Sequence, residues 1–583
     1  MKLSPLFFLG LPALAAGYEV ACEYPTTMPD PLVARAHLHQ FSGSYLMYSK
    51  VETPVVIHIA SLSSLCQINC LAYHDTTVLD VLTKQRPLGG DIPEEYHNAW
   101  SRMLCIAQCF DLISSEAGQP EFYTPFWEKW GLTGLMKRDN GAGIAILAAQ
   151  GGTDQPLKDY LASHDYHPYY VAQVVASEIL LHVLDDGWNA LGEWTYDTET
   201  GEAVKCTANC QNYKDTTGYF PKNHPTGKPE LNGTKYEVTG TDMYWQPLVD
   251  NDGKGFFMAQ EHVTPHIGYT AKMKLYDSVD DIPVTPPPEY NFYEEALKVV
   301  DRLKDASGDD LKKQKIAFFD NKLLVLNTVE NHVKQQFSEK YSFEEELLYI
   351  EGMSAGEHDA TVMAWREKVR HDLVRPTTVI HRWGSDTLNT FSGDKTADGP
   401  VDIAARDFHA FQRVMPHSEY PSGSGCICTA YAEFTDAFTM GYYNETISNV
   451  PFGEGEGSTG EGYGCDPTMD PPLFVQLGCN DSFVIPDMPG LIEECGQSRL
   501  WAGFHFTAAV TESLVLCKGI GYKAYDHVQE VRNGSTLGQK FYKGDPRPTC
   551  STGDVVVSKD ATSAATAAAH LSVILPLLAF FTM

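Results

Sequence analysis

Positive charge is scarce in this chain: its 583 residues carry 43 lysines and arginines against 76 aspartates and glutamates, a formal charge of −33. The far field therefore repels nucleic acid and anionic lipid surfaces, and an anion must be captured by cations placed locally. Nucleic acid is excluded as a partner on this ground. The acidic excess itself suits solubility outside a cell. Strand signals are also few, so helices must supply most of the core. Apolar residues make up 43% and charged residues 20%, a composition unlike that of a disordered chain. The length implies two cores or one large helical assembly.

Apolar residues recur at three and four places over Tyr170–Leu184, Tyr293–Leu303, Lys312–Val333, Phe343–Leu373, Thr429–Tyr443 and Phe506–Tyr525, predicting helices and a mainly α fold. The best strand candidates lie within Tyr236–Thr270, with Asp252-Gly253 as a turn between two short extended runs. Asp250, Asp252, Gly255 and Glu261 fall on the spacing of a calcium loop, but Lys254 takes a ligand position and prolines flank the segment, so it reads as a hairpin. Prolines 283, 286, 287 and 288 form a stiff connector between an N-terminal helical region, 17–282, and a C-terminal one, 289–550. Gly453–Pro472, rich in Gly and Glu, reads as a long exposed insertion.

Lys2, the apolar run Leu6–Leu14 and the small residues Ala15–Gly17 have the layout of a secretory signal peptide, residues 1–16. At the other end, 551–583, a small-residue spacer precedes an apolar tail, Leu571–Met583, with no basic residue after it. This predicts a glycolipid anchor signal attached at Gly553, Ser558 or Ser563, and hence a secreted or surface-held protein. Fourteen cysteines and the sequons at Asn232, Asn444, Asn480 and Asn533 fit that compartment and a disulfide framework. Cys66/Cys70, Cys105/Cys109 and Cys206/Cys210 share a spacing that places both thiols on one helix face, so facing helices can be stapled together. Zinc is the weaker reading of these pairs, because an oxidising compartment favours disulfides over thiolates.

Three separated fragments carry the chemistry: Lys368–Pro376 (KVRHDLVRP), Pro421–Ser424 (PSGS) and Ser498–His505 (SRLWAGFH). Lys368 and Arg375, seven apart, are expected on one helix face ahead of Pro376. Pro421–Ser424 reads as a turn at a helix entrance, where free N–H groups and the dipole favour an anion. Gly503 permits a break between Arg499 and His505, with Ser498 as an N-cap candidate. Each fragment alone has an ordinary explanation: a solvated basic stripe, a plain N-cap, a core histidine. Together they supply permanent cations, backbone donors and an imidazole, the equipment for holding a tetrahedral oxyanion.

These fragments resemble the three signature segments of the vanadium-dependent haloperoxidase and type 2 phosphatidic-acid phosphatase superfamily. Trp245-Gln246-Pro247 and Val263–His266 are similar to the approach region of the haloperoxidase branch. The resemblance implies helical bundles with a few short strands, and vanadate held by His505, the metal ligand, with its oxygens neutralised by Lys368, Arg375 and Arg499 and helped by Ser422 and the Gly423 N–H. It also implies halide oxidation by hydrogen peroxide, with Lys368 polarising the peroxide, and a small organic acceptor; a homo-oligomer is also expected.

One position departs from the family pattern: Ser424 stands where the second segment commonly ends in His, the acid/base group. A hydroxyl does not relay protons at neutral pH as imidazole does. His417 or His371 are candidate substitutes. Two alternatives to halide oxidation therefore stay open, a phosphatase using His505 as nucleophile and an oxyanion-binding protein without turnover. Cys426 and Cys428, beside the proposed pocket, are expected in structural disulfides.

Overall fold

Ser342 opens the longest helix, Phe343–His371. Its hydroxyl accepts from the Glu345 N–H, the Glu345 carboxylate accepts from the Ser342 N–H, and Glu344–Glu346 sit at the positive end of the dipole. Asp372 ends the helix in the left-handed conformation, φ 51°. Nearly every side chain from Phe343 to Lys368 is buried, as in a helix surrounded on all sides.

This central helix belongs to a computed structural model that describes residues 52–116, 155–223, 235–452 and 483–532, apart from short gaps at 88–91, 94–95, 98, 252–256, 285, 321, 396 and 398. In chain order the first helices are α1 (Thr53–His74), α2 (Ala99–Glu116), α3 (Gln155–Ser163), α4 (Pro168–Val183) and α5 (Ile267–Thr270). Then come α6 (Phe292–Ser307), α7 (Asp310–Asp320), α8 (Lys322–Gln336), the central α9 (Phe343–His371) and α10 (Pro376–His381). The last are α11 (Gly423–Tyr443), α12 (Met488–Trp501), α13 (Thr507–Leu516) and α14 (Ile520–Val531). The described strands form two-stranded antiparallel ribbons, β1 (Trp194–Tyr196) with β2 (Ala203–Lys205) and β3 (Val249–Asn251) with β4 (Phe257–Ala259). Two more pair β5 (Thr387–Thr390) with β6 (Val401–Ala404) and β7 (Val450–Phe452) with β8 (Phe483–Ile485). The fold is mainly α, as expected.

α9 packs against α1, α5, α11 and α14, and α11 in turn against α12, α13 and α14. One apolar cluster joins α1, α2 and α4 to α8, α9 and α14, so side chains from both sides of the proline-rich connector share a core. A second, built from α6, α10 and the Phe408–Val414 segment with Phe504 and Phe506, lies beside the C-terminus of α9. α1 is long and apolar enough to cross a membrane, and most of it is buried against α2, α4 and α9.

Disulfides Cys66–Cys109 and Cys70–Cys105 staple α1 to α2, as the spacing implied. Cys206 and Cys210 instead bond to each other: their segment is an irregular loop after β2, with no helix face to present. Cys426–Cys517 and Cys428–Cys495 tie α11 to the end of α13 and to α12.

Lys312–Val333 is helical on both sides of residue 321, which lies outside the described residues. One predicted helix is split. Phe506–Tyr525 divides at Gly519, whose φ of +94° suits glycine and stops α13 from continuing into α14. The two expected extended runs pair antiparallel, with Asn251 opposite Phe257, and the turn expected at Asp252-Gly253 lies outside the described residues. The expected signal peptide, anchor segment and Gly453–Pro472 insertion lie outside the described residues, as do Asn232, Asn480 and Asn533; Asn444 is exposed where α11 ends.

α5 and α9 touch backbone to backbone. A Cβ on Gly268 would lie 2.3 Å from the Arg366 nitrogen and 2.4 Å from its Cα, neither of which can move alone. Gly268→Ala should therefore destabilise the protein by ~1–3 kcal/mol, read as a lower urea midpoint. An unchanged midpoint would contradict this packing.

Candidate active site

α9 ends three residues before Arg375, because Asp372 takes the left-handed conformation and donates its N–H to the Lys368 carbonyl. Lys368 thus sits in the last turn of α9, whereas Arg375 is the N-cap of α10, ahead of Pro376. The expectation of a single helix face is corrected: the two cations converge through a chain reversal, not through helical periodicity. Ser498 is likewise not an N-cap. It lies inside α12, which starts at Asp487, while the expected break falls after Trp501, with Gly503 at φ +76°. The Pro421–Ser424 turn leads directly into α11 at Gly423.

The Lys368 ammonium is buried and donates to the carbonyls of Ser418 at 2.8 Å, Glu419 at 3.2 Å and Pro421 at 2.6 Å. Burial, and secondarily the Arg375 charge, pushes it well below the usual lysine range. Arg375, also buried, donates to the carbonyls of His417 at 2.9 Å and Phe504 at 3.0 Å, and through Nη2 to His417 Nδ1 at 2.9 Å. Burial lowers it to about 10.

His505 lies between α12 and α13. Its Nδ1 is 3.1 Å from Glu419 Oε1, and its Nε2 faces Arg375 Nη1 at 3.4 Å, a long contact. Burial, followed by the charges of Arg375, Lys368 and Arg499, holds the ring well below the ordinary histidine range. A neutral ring donating Nδ1–H to Glu419 leaves the Nε2 lone pair open toward the cations. Glu419 also accepts from the Phe506 N–H at 2.9 Å, while its Oε2 is buried without a partner among the described residues. Burial outweighs the attraction of Arg375 and raises this carboxyl to about 7.

Arg499 is at the edge of the group. Its guanidinium donates to Asp320 Oδ1 at 2.9 Å, the Ile316 carbonyl at 3.2 Å and Ser498 Oγ at 3.1 Å, and stacks over Phe504. Its field still reaches both His505 and Arg375.

Ser422 caps α11 through its Oγ, which accepts from Gly425 N–H at 3.3 Å, and its own N–H goes to the Ala509 carbonyl at 2.8 Å. The N–H groups of Gly423 and Ser424, in the first turn of α11, have no acceptor among the described residues. Gly423 lies beside Lys368, since a Cβ there would come within 3.9 Å of Lys368 Cε.

Of the two substitutes for the missing imidazole, His417 is in the site through its bond to Arg375, with Trp365 and His262 against its ring. His371 is not: Glu367 holds it at 3.0 Å and its ring packs edge-on to Tyr420. The approach residues are also nearby, Trp245 edge-on to His262 and the Val263 carbonyl accepting from Trp365 Nε1 at 2.9 Å. Glu419 and Asp320, which orient His505 and Arg499, escaped the sequence reading. Glu419 stands only two residues before Pro421, but a lone acid there has no periodic or motif signal.

Among the described residues no cluster of three or more His, Cys, Asp or Glu is placed to chelate a metal cation. The donor set of buried cations, free helix N–H groups and one open imidazole nitrogen instead fits a tetrahedral oxyanion such as vanadate.

The class of protein is thus a helical-bundle chain with a buried cationic imidazole site. Residues 349–534, which hold all of these groups except Asp320 and the approach residues, match the family model of the VCPO second helical-bundle domain. The holo-type bacterial vanadium-dependent chloroperoxidase superposes with a TM-score of 0.65 at 18% identity, covering 88% of this chain and 100% of that one. The apo-type bacterial enzyme gives 0.62 at 19%, covering 83% and 94%. The first bacterial vanadium-dependent iodoperoxidase gives 0.52 at 16%, covering 87% and 98%. Residues 349–534 thus carry the match to that domain, and the chain shares the fold of these vanadium-dependent peroxidases. No curated protein sequence matches it significantly.

Because folding raises the Glu419 carboxyl from 4.5 to about 7, its ionisation costs stability. The cost is absent below the unfolded value, grows through this window and is constant above it. Glu419→Gln should therefore gain stability relative to the parent as pH rises from about 4.5 to about 7, and no further above, in urea unfolding at stepped pH. A pH-independent difference would show that Glu419 does not titrate in this window.

Proposed function

We propose that the protein is a vanadate-dependent haloperoxidase that oxidises bromide or iodide with hydrogen peroxide. The observation that carries this reading is the convergence of Lys368 and Arg375 with the distant His505, with Glu419 presenting the His505 Nε2 lone pair to the cations. His505 Nε2 would hold vanadate. Arg375, Lys368 and Arg499 would offset the charge on its oxygens, and the free N–H groups of Gly423 and Ser424 would add donors. Vanadate, when bound, supplies a Lewis-acidic centre that activates peroxide toward halide.

The chain's own part is to keep the site dry and the imidazole neutral. Lys368 must exchange at least one of its three carbonyl partners to touch a ligand, since an ammonium has three N–H groups and all are engaged. Ser424 brings no imidazole, and His417, whose Nδ1 accepts from Arg375, offers an Nε2–H donor in its place. The oxidised halide would pass to a small organic acceptor. The buried disulfides support an exported protein; a lipid anchor at the C-terminal tail and a homo-oligomer are further parts of the proposal.

Oxidation of iodide, bromide and chloride by peroxide, measured with and without orthovanadate, tests the reading. Activity should require vanadate, fall to background in His505→Ala and fall roughly 100-fold in Lys368→Met. Hydrolysis of an aryl phosphate, inhibited by vanadate and without halide oxidation, would replace it with the phosphatase reading. Ser424→His should raise the rate, and an unchanged rate would remove Ser424 from the account.

A further inference from the structure

A second cluster of ionisable side chains lies away from His505, where α1 and α4 of the N-terminal region meet α9 and α14. They surround a cavity of about 180 Å³. That volume is close to the ~150 Å³ of an apolar cavity that accommodates benzene. One wall is apolar, with Leu62, Leu65, Val81, Leu82 and Met273.

The acids around it are already matched. Asp186 takes His58 Nε2 at 3.0 Å and the Trp188 N–H at 2.8 Å. Glu351 takes His527 Nε2 at 3.0 Å and the Ser64 hydroxyl at 2.5 Å. Asp359 takes His358 Nδ1 and the N–H groups of Lys274 and Leu275, each at 2.8 Å. Among the bases, Lys84 donates to His527 Nδ1 at 2.7 Å and Lys272 pairs with Asp185 at the exposed rim. His182 is held neutral, lowered to about 4 by burial.

Lys274 is left over. Its Nζ is shielded from solvent and has no hydrogen-bond partner among the described residues. It is also central, since its charge acts on His58, His182, His527, Lys84 and Glu351 alike. Glu351 acts on it through its field alone, and a shielded ammonium with no hydrogen-bond acceptor is costly, so a ligand presenting carboxylate oxygens to it would relieve that cost.

We propose that this cavity is a second binding site, for a small organic monocarboxylate whose carboxylate pairs with Lys274 and whose apolar body lies against Leu62, Leu65, Leu82 and Met273. A single ammonium short of acceptors, with the Glu351 carboxylate within reach of its field, selects a monoanion over a phosphate dianion, and the apolar wall selects an organic acid over an inorganic ion. This site stands independently of the reading of His505.

Titration calorimetry with benzoate on the full chain tests the proposal. Saturable one-to-one binding is expected, weakened at least tenfold in Lys274→Met and unchanged in His505→Ala. Lys274→Met should melt no lower than the parent, because it removes a shielded ammonium with no hydrogen-bond acceptor, so its loss of binding is separable from unfolding. Absence of benzoate binding, equal binding by Lys274→Met, or tighter binding of inorganic phosphate that depends on Lys274 would each overturn the proposal. A lower melting temperature of Lys274→Met would do so too, by revealing a protein partner for the ammonium.

Discussion

Burying permanent cations together is the constraint on which the second half of the molecule depends. Lys368, Arg375 and Arg499 are all within 1% of full burial, and each would be expensive to desolvate alone. The chain meets this cost with backbone oxygens: the carbonyls of residues 417, 418, 419 and 421 face Lys368 and Arg375, and that of Phe504 completes Arg375. Carbonyl dipoles lower the cost of the charge without cancelling it. The positive potential therefore remains, and it adds to burial, the larger cause, in depressing the basicity of His505 and His417. A carboxylate at every cation would have removed that potential. Arg499, at the edge, bonds to one in Asp320, whereas Glu419 reaches Lys368 and Arg375 through its field.

The scaffold holds these groups by covalent and steric means. Cys428–Cys495 joins the first turns of α11 to α12 four residues before Arg499, and Cys426–Cys517 joins α11 to the end of α13. The two segments flanking His505 are thereby fixed to the helix that begins at the Ser422 turn. α9, buried on all sides, sets where Lys368 emerges. The same helix, on a different face, places His358 and Asp359 by the cavity around Lys274. One rigid element thus positions two sites with opposite charge accounting: around Lys368 carbonyls satisfy the ammonium, and around Lys274 nothing described does.

Legibility in the sequence followed the range of the interaction. α4, α6, α9 and α11 showed in the spacing of apolar residues because helix formation and burial of one face are local and periodic. The break at Gly519 did not, since the apolar pattern runs through it and only a positive φ interrupts it. The α1–α2 staple was readable from paired cysteine spacings, whereas Cys206 and Cys210 have the same spacing on a loop. At the site, Lys368, Arg375, Arg499 and His505 stood out through their motifs. Glu419 and Asp320 carry no motif, and their part comes from contacts across 86 and 179 residues of chain.

The amino-acid sequence alone determined the mainly helical class, the local disposition of acid and base, and which side chains are equipped to hold an oxyanion, because these follow from composition, periodicity and residue chemistry. Only the tertiary structure decided that Lys368 and Arg375 meet across a chain reversal, that Glu419 orients His505, and that the Lys274 ammonium is left without a hydrogen-bond acceptor among the described residues. Those outcomes depend on which distant groups share a buried, low-dielectric space, and no local pattern encodes that.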